Sequence, residues 1–440
     1  MGEQYHRKRP SSSPCVRPRT ATALPLRRAR RRVERLPRRL HLPPLRGPLA
    51  PFLKQAFDLS NAQIGGLTSA TAVTYAPTLV LAGWLVDRIG VRRAVVIGSL
   101  VTGVFVGAVA LAPSYGVMLL LLALSGLGCG FIYPSAVKAV MVWFPPQERA
   151  TAIGVNQAAV NISGILGAAL MPALALSVGW QAGFVVAAAM AFAVSGLAAA
   201  VYRDPPGGVA AWAAGGASST MCEIEQGLPC VTGDEQADRA AVRPGFLAVV
   251  RSRDILLLGL AAMFLCMVEF AALAHLVLFL HIDWAYSVLA AAGLLAVCQV
   301  AGAVGKPLSG LVSDRLLGRR RKAPLLALAG LAGVACAILA LLGPGHTWLL
   351  WTALVMLGVG AVGWGGLFGT LAGETAGPAA AGAAAGVTAA IVNVGIFIGP
   401  LLFGLIVDRS GSYAPAWWAM VGAAVLAACL LARVREPRRA

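Results

Sequence analysis

Charge is scarce in this chain. Of its 440 residues only 12% are Asp, Glu, Lys or Arg, about half the share of an ordinary soluble domain. Hydrophobic residues make up 58%, and the mean hydropathy is +0.77. A soluble core cannot hide that much apolar surface, which excludes a large soluble helical protein. Paired cysteines are lacking too. The eight are scattered at Cys15, Cys129, Cys222, Cys230, Cys266, Cys298, Cys336 and Cys429. Five of them lie in apolar runs, where a thiol packs as a small hydrophobe. Cys222 and Cys230 share a loop without the close pairing of a zinc site, so neither a disulfide framework nor a metal site is expected. The alternation of barrel strands is absent. So are a nucleophile–base arrangement, a phosphate-binding glycine loop and a nucleotide motif. No enzyme and no cofactor are expected.

Acidic residues are few, but the net charge of +18 misleads. Residues 1–54 hold 15 of the 36 basic residues and 2 of the 18 acidic ones, leaving about +5 for the rest. The basic excess therefore belongs to one end of the chain and says little about its body.

What is present in abundance is apolar runs. A bilayer-spanning helix needs roughly 20 predominantly apolar residues. Eleven stretches qualify, near 61–82, 94–112, 116–142, 151–175, 182–202, 255–280, 286–310, 324–343, 347–372, 384–407 and 414–432. Many are dominated by Gly and Ala, which let helix backbones approach closely in lipid. An all-α membrane protein packed as a bundle is expected, with the lipid bilayer as its partner. The loops fix its orientation. Arg88, Arg92, Arg93, Arg149, Arg203, Arg239, Arg243, Arg251, Arg253, Arg315, Arg319, Arg320, Arg321 and Lys322 fall on one side, with Arg433, Arg435, Arg438 and Arg439 of the tail. The opposite loops offer little beyond Arg409. Positive charge marks the cytoplasmic side, so the C-terminus is expected inside a plasma membrane.

The chain then divides. Residues 48–202 and 254–435 are read as two helical bundles, 203–253 as a cytoplasmic linker rich in Gly, Pro, Ser and acids, and 436–440 as a cytoplasmic tail. The halves resemble each other. GVNQAAVNISGILG from Gly154 and GVTAAIVNVGIFIG from Gly386, 232 residues apart, share Gly, Val, Ala, Val, Asn and Gly at matching places, and Gly179 falls on Gly411. An internal repeat is the signature of a two-bundle transporter with its site between the halves. Chance alignment of two Gly/Ala-rich helices is the alternative, and the paired asparagines count against it.

A second repeated feature is GWLVDRIGVRR, Gly83 to Arg93, which returns as GLVSDRLLGRRRK, Gly310 to Lys322. Each places an Asp-Arg pair where a span meets the cytoplasm, then a turn glycine, then more arginines. An acid there can meet the positive N-terminus of a neighbouring helix, and the arginines can pair with nearby acids. Such contacts suit a gate that holds in one orientation and breaks in the other. Gly83, Asp87, Arg88, Gly90, Arg92, Arg93, Gly310, Asp314, Arg315 and Gly318 are the gating candidates.

On these doubled loops the chain resembles the major facilitator superfamily, over about residues 48–435. The stretches Gly126–Gly154 and His275–Gly318 are similar to the branch of sugar-phosphate permeases and organic-anion:cation symporters. The resemblance implies a two-bundle fold of twelve spans that works by alternating access on a small-molecule substrate. The leading class is an organic anion, with a co-transported proton. A drug or metabolite exporter is the second reading. It is weakened because NISGILGAALMP, Asn161 to Pro172, lacks the G-P-x-x-G-G-like element of drug antiporters. A non-transporting sensor or defective remnant is the third. A monomer without nucleic acid is expected.

Polar groups inside spans are costly in lipid and usually face the bundle interior, so they are the substrate and coupling candidates. Glu269 lies about 21 Å into its span, near mid-membrane. It is either a proton carrier or a hydrogen-bonded packing acid. His275 lies further out on the same helix. Lys138, a few residues after Tyr133, either attracts an anion or snorkels to the interface. Gln157 and Asn161 share a helix face, and Asn393 is the repeat counterpart of Asn161. These amides either line a cavity or bond helix to helix. Lys306 is read as interfacial.

The family pattern has twelve spans and the count here is eleven. Residues 1–47 stand where the first span belongs, yet they are rich in Arg and Pro, as in RRARRRVERLPRRL at 27–40, with no apolar run of even ten. Pro37, Pro43 and Pro44 oppose the amphipathic helix of a transit peptide. The expectation is a first helix translated out of frame, the alternative a disordered basic arm. The segment PLAPFLKQAFDLSNAQIGGL from Pro48 is read as the outer loop before the next span.

Overall fold

The computed structural model of the chain describes residues 49–143, 146–203, 251–317, 320–376 and 381–436. The basic segment 1–47, nearly all of the expected linker and Gly318 lie outside these residues. Among the described residues there is no strand. The helices are α1 Ala50–Phe57, α2 Asn61–Ile89, α3 Val91–Val109, α4 Tyr115–Trp143, α5 Pro146–Ser177, α6 Trp180–Val201, α7 Arg253–Ile282, α8 Val288–Arg315, α9 Lys322–Leu341, α10 Thr347–Leu357, α11 Gly365–Ala376, α12 Ala381–Ser410 and α13 Ala414–Arg433. A π-turn over Gly358–Val362 joins α10 to α11, so these two make one interrupted crossing.

Ten helical segments are long and apolar enough to cross a membrane. They match ten of the eleven expected spans. The remaining one, near 61–82, is part of the continuous 29-residue helix α2, which is not among the ten. Large apolar side chains such as Leu81, Leu111, Leu176 and Trp348 stand exposed. Water would penalise that surface, whereas lipid does not.

Local chemistry sets the ends. Ser60 starts α2 with a reciprocal cap: its hydroxyl accepts from the Gln63 N–H at 3.2 Å, and the Gln63 side chain accepts from the Ser60 N–H at 2.8 Å. Ser287 caps α8 in the simpler way, accepting from the Ala290 N–H at 3.2 Å. Gly90 ends α2 at φ 84°, in the region that favours glycine. One expectation is corrected here. The segment read as an outer loop contains helix α1, whose Leu53 is buried along with Leu49 before it. Those two leucines need an apolar face, and a helical turn gives it to both.

Helices α2, α3, α4 and α6 interlock in the first half, while α7, α9, α12 and α13 interlock in the second. Two antiparallel pairs cross between the halves: α2 with α12, and α5 with α8. The two pairs correspond under the sequence repeats, α5 matching α12 by the repeated glycines and asparagines and α8 matching α2 by the doubled Asp-Arg loops. The α2–α12 seam is tightest at the end where α2 begins. A Cβ on Gly65 would stand 2.2 Å from the Pro400 carbonyl oxygen, and one on Gly404 would stand 2.2 Å from that of Asn61. Only glycine permits backbones to meet at that distance. Further along, the Ser69 hydroxyl donates to the Phe397 carbonyl at 2.6 Å.

Gly65→Ala and Gly404→Ala are each expected to cost the packed state about 1–3 kcal/mol by overpacking, read as a lower melting temperature in detergent. Gly116→Ala, where a Cβ meets open space, should melt like the parent. Equal melting temperatures for all three would contradict so close a seam.

Candidate functional site

The middle of the α5–α8 seam brings together polar groups from both halves. Lys306 stands nine residues before the end of α8, about 14 Å from it, which is near the centre of a hydrocarbon layer about 30 Å thick. Its ammonium donates across the seam to Asn161 Oδ1 at 3.4 Å. On its own side it lies within electrostatic reach of Glu269 on α7. Glu269 in turn sits beside Trp364, whose indole N–H also ties the π-turn by donating to the Ala361 carbonyl at 2.8 Å. An acid, a cation and an amide from three helices thus form one line through the middle of the molecule.

Several amide atoms on the seam helices α5, α8 and α12 lack partners among the described residues. They are Asn161 Nδ2, Gln299 Oε1 and Asn393 Oδ1, all on buried side chains. Gln299 lies against Gly164, where a Cβ would stand 2.3 Å from its Nε2. The other half of the Asn393 amide bonds within its own helix, Nδ2 donating to Ala389 at 2.9 Å. A buried polar atom without a partner costs about 1–3 kcal/mol. Asn161 also touches the half-buried Lys306, and orphaned atoms of this kind are what a polar ligand would satisfy.

The remaining candidates fall elsewhere. His275 is fully buried, its Nε2 is 2.9 Å from the Pro400 carbonyl oxygen, and its ring stacks on Phe403 at 4.9 Å. That places it between α7 and α12, away from the line. Lys138 donates to the Val86 carbonyl at 3.2 Å, which ties α4 to the last turn of α2. Tyr133 is 41% exposed and lies near Tyr75. The side chains of Gln157, Gly83 and Asp87 lie outside the described residues.

At the gate loops, Arg92 donates to the Ala199 carbonyl at the end of α6, while Arg88 and Arg93 are exposed. In the second half Arg321, 11% exposed at its side chain, pairs with Asp314 at 2.5 Å and with Glu374 at 3.6 Å. It also donates to the Ser313 hydroxyl at 3.0 Å. Glu436 accepts from the N–H groups of Arg321 and Lys322 at the start of α9, and the Lys322 ammonium donates to Ala432 and Val434 at 2.6 and 2.9 Å. Arg315 is exposed, and Gly310 faces open space. The contacts of Arg321, Lys322 and Glu436 thus stay within one half, clamping the ends of α8, α9, α11 and α13.

A model of the Major Facilitator Superfamily matches residues 46–400, most of the chain. The chain belongs to the major facilitator superfamily. It is therefore a multi-pass membrane protein of a transporter family, not an enzyme. A bacterial homologue of the human lysosomal transporter Spinster, solved in an inward-facing, occupied conformation, has the same fold. The TM-score is 0.69 at 19% identity, over 90% of this chain and 94% of that one. Among curated relatives, the "Probable sulfoacetate transporter SauU" of Cupriavidus necator is 28% identical over 157 residues, 36% of this chain and 36% of the relative. The hexuronate transporter of Bacillus subtilis is 32% identical over 137 residues, 31% of this chain and 32% of the relative. The chain spans about a third of the length of these curated relatives.

Within this major facilitator fold one reading of the sequence is corrected. Lys306, expected at the interface, sits in the seam between the halves. The signal was its depth, about 14 Å from the nearer helix end, further than a lysine side chain extends along its own helix. Gln299 was not singled out, because one amide in an apolar helix looks like many others until its neighbour is known.

Arg321→Leu would remove the guanidinium that pairs with Asp314 and Glu374. A loss of about 1–2 kcal/mol is expected, between that of an exposed and a buried pair. A thermal melt in detergent checks it, and Arg315→Leu, at an exposed position, should leave the melt unchanged.

Proposed function

We propose that this major facilitator protein carries a small organic anion across the plasma membrane by alternating access, with a proton as the coupling ion. The observation that carries this reading is the Lys306 cation, held in the seam between the halves against Asn161 and beside Glu269. A carboxylate or sulfonate reaching Lys306 would gain a charge-assisted hydrogen bond. The unpartnered atoms of Asn161, Gln299 and Asn393 would orient its polar groups. Such an anion would also compete with Glu269 for the same cation. Protonating Glu269 would leave Lys306 to the substrate, which is one way to couple the two. The named activities of the two curated relatives, on sulfoacetate and on hexuronates, both concern organic anions.

The arginine-rich loops support a cytoplasmic C-terminus and the placing of Asn61 at the outer end of α2. The close α2–α12 contacts then lie in the outer half, which supports a cavity open to the inside. The same proposal includes a monomer of two bundles, 48–202 and 254–435, and a twelfth span encoded in another reading frame of the codons for residues 1–47. An apolar run of about 20 residues in that frame would bear out the twelfth span.

In proteoliposomes, saturable uptake of a hexuronate or of sulfoacetate is the expected result. Lys306→Gln should raise KM about 10–100-fold, the size of a lost hydrogen bond to a charged group, and Lys306→Arg should retain more of the uptake. Competition by lipophilic cations but not by anions would favour an exporter instead. Glu269→Gln should abolish accumulation driven by a pH gradient while preserving exchange, because exchange need not release the proton. Accumulation equal to that of the parent would make Glu269 a structural acid.

A further inference from the structure

The pattern of the first gate loop occurs again at the opposite end of the molecule. GWLVDRIG, Gly83–Gly90, and GLIVDRSG, Gly404–Gly411, share Gly-x-x-Val-Asp-Arg-x-Gly. Both closing glycines have positive φ, 84° and 68°, and the N–H of each donates to the carbonyl four residues back, Val86 and Val407. Asp408 therefore holds the place in α12 that Asp87 holds in α2. The two helices run antiparallel and are 29 and 30 residues long, so the two acids stand at opposite ends of one seam.

At its end of that seam Asp408 crosses between the halves. Its Oδ1 accepts from the Asn61 N–H and from Asn61 Nδ2, both at 2.8 Å, and its Oδ2 accepts from the Ala62 N–H at 2.7 Å. These backbone donors open α2, where intrahelical acceptors are lacking and the helix dipole favours an anion. Asn61 is gripped from two further sides. The Lys54 ammonium of α1 donates to its Oδ1 at 2.7 Å, and the Tyr413 hydroxyl donates to the same oxygen at 3.3 Å. Burial and the nearby Asp283 and Asp408 push the Tyr413 phenol up, so the hydroxyl stays protonated and able to donate. Asp408 itself remains exposed, so water can replace its partners when the seam parts. Bonds of this kind are directional and exchangeable, unlike the glycine packing beside them.

We propose that Asp408 is an outer latch, capping the N-terminus of α2 while the outer ends of α2 and α12 are closed and releasing it when they part. The proposal rests on the alternating-access reading, but it needs no particular substrate. Losing the latch should open the outer end of the seam and, because α2 and α12 are rigid helices, bring their inner ends together.

Hydrogen exchange of the full chain in lipid nanodiscs, without substrate, tests this. In Asp408→Ala, exchange is expected to rise about five- to tenfold over residues 61–70 and 397–408, and to fall over 80–89 and 381–390. Asp408→Asn keeps the shape and one acceptor but loses the charge. It should show the same reciprocal change to a smaller degree, and it carries the test if the alanine variant does not fold. Arg409→Ala, at the exposed neighbour, should match the parent. A rise confined to residues 61–64, or no change, would overturn the latch and leave Asp408 a local helix cap. Because no substrate is present, a wrong substrate class would appear only in the uptake assay and would leave this result intact.

Discussion

Two helices in contact at bare backbone hold this molecule in the state described. Between α2 and α12, Gly65 lies on the Pro400 carbonyl and Gly404 on the Asn61 carbonyl. In lipid no water is expelled when apolar helices meet, so close packing and hydrogen bonds supply most of the attraction. Glycine at the crossing makes that approach possible, and it leaves room for Ser69 to reach Phe397 and Asp408 to reach the start of α2. Everything deeper depends on how far this seam closes. The facing of Asn161 and Lys306 on the second seam belongs to the same arrangement of the halves.

The two seams share a logic but differ in chemistry. The α2–α12 seam is sealed at one end by backbone contact and a carboxylate on helix N–H groups. The α5–α8 seam carries its polar groups near the middle, where a cation and orphaned amide atoms stand in low dielectric. A charge in that position is expensive unless it has a partner. Lys306 has Asn161 by contact and Glu269 at longer range, an incomplete solvation that an anionic ligand would complete. The clamp around Arg321 is of a third kind, closing one half upon itself at the helix ends. Its ion pairs join α8, α9 and α11 without crossing between halves, so it fits rigid-body movement of that half.

The apolar runs, the interrupting loops and the Gly/Ala-rich composition could be read directly, since a membrane span is a local property of about 20 consecutive residues. So could the paired asparagines and the doubled Asp-Arg loops, which are repeats within the string itself. Helix α1 is hidden because eight residues with one buried leucine, and a second just before them, carry too little periodicity to distinguish a helix from a loop. The third copy of the Asp-Arg pattern was in plain view at Gly404–Gly411. Its place on the side where arginines are few conceals it, since Arg409 alone there bears on orientation only as a charge.

The sequence by itself determined that the chain is helical, that it lives in lipid, and that short stretches of its first half recur in its second, because each of these follows from composition and spacing along the chain. The tertiary structure alone decided which polar residues act together. Lys306 and Asn161 are 145 residues apart, and Asp408 and Asn61 are 347 apart. No local pattern links such pairs. Their meeting is set by which helix faces the seam and at what depth, a consequence of packing two bundles of helices against each other at the few places where glycine lets them touch.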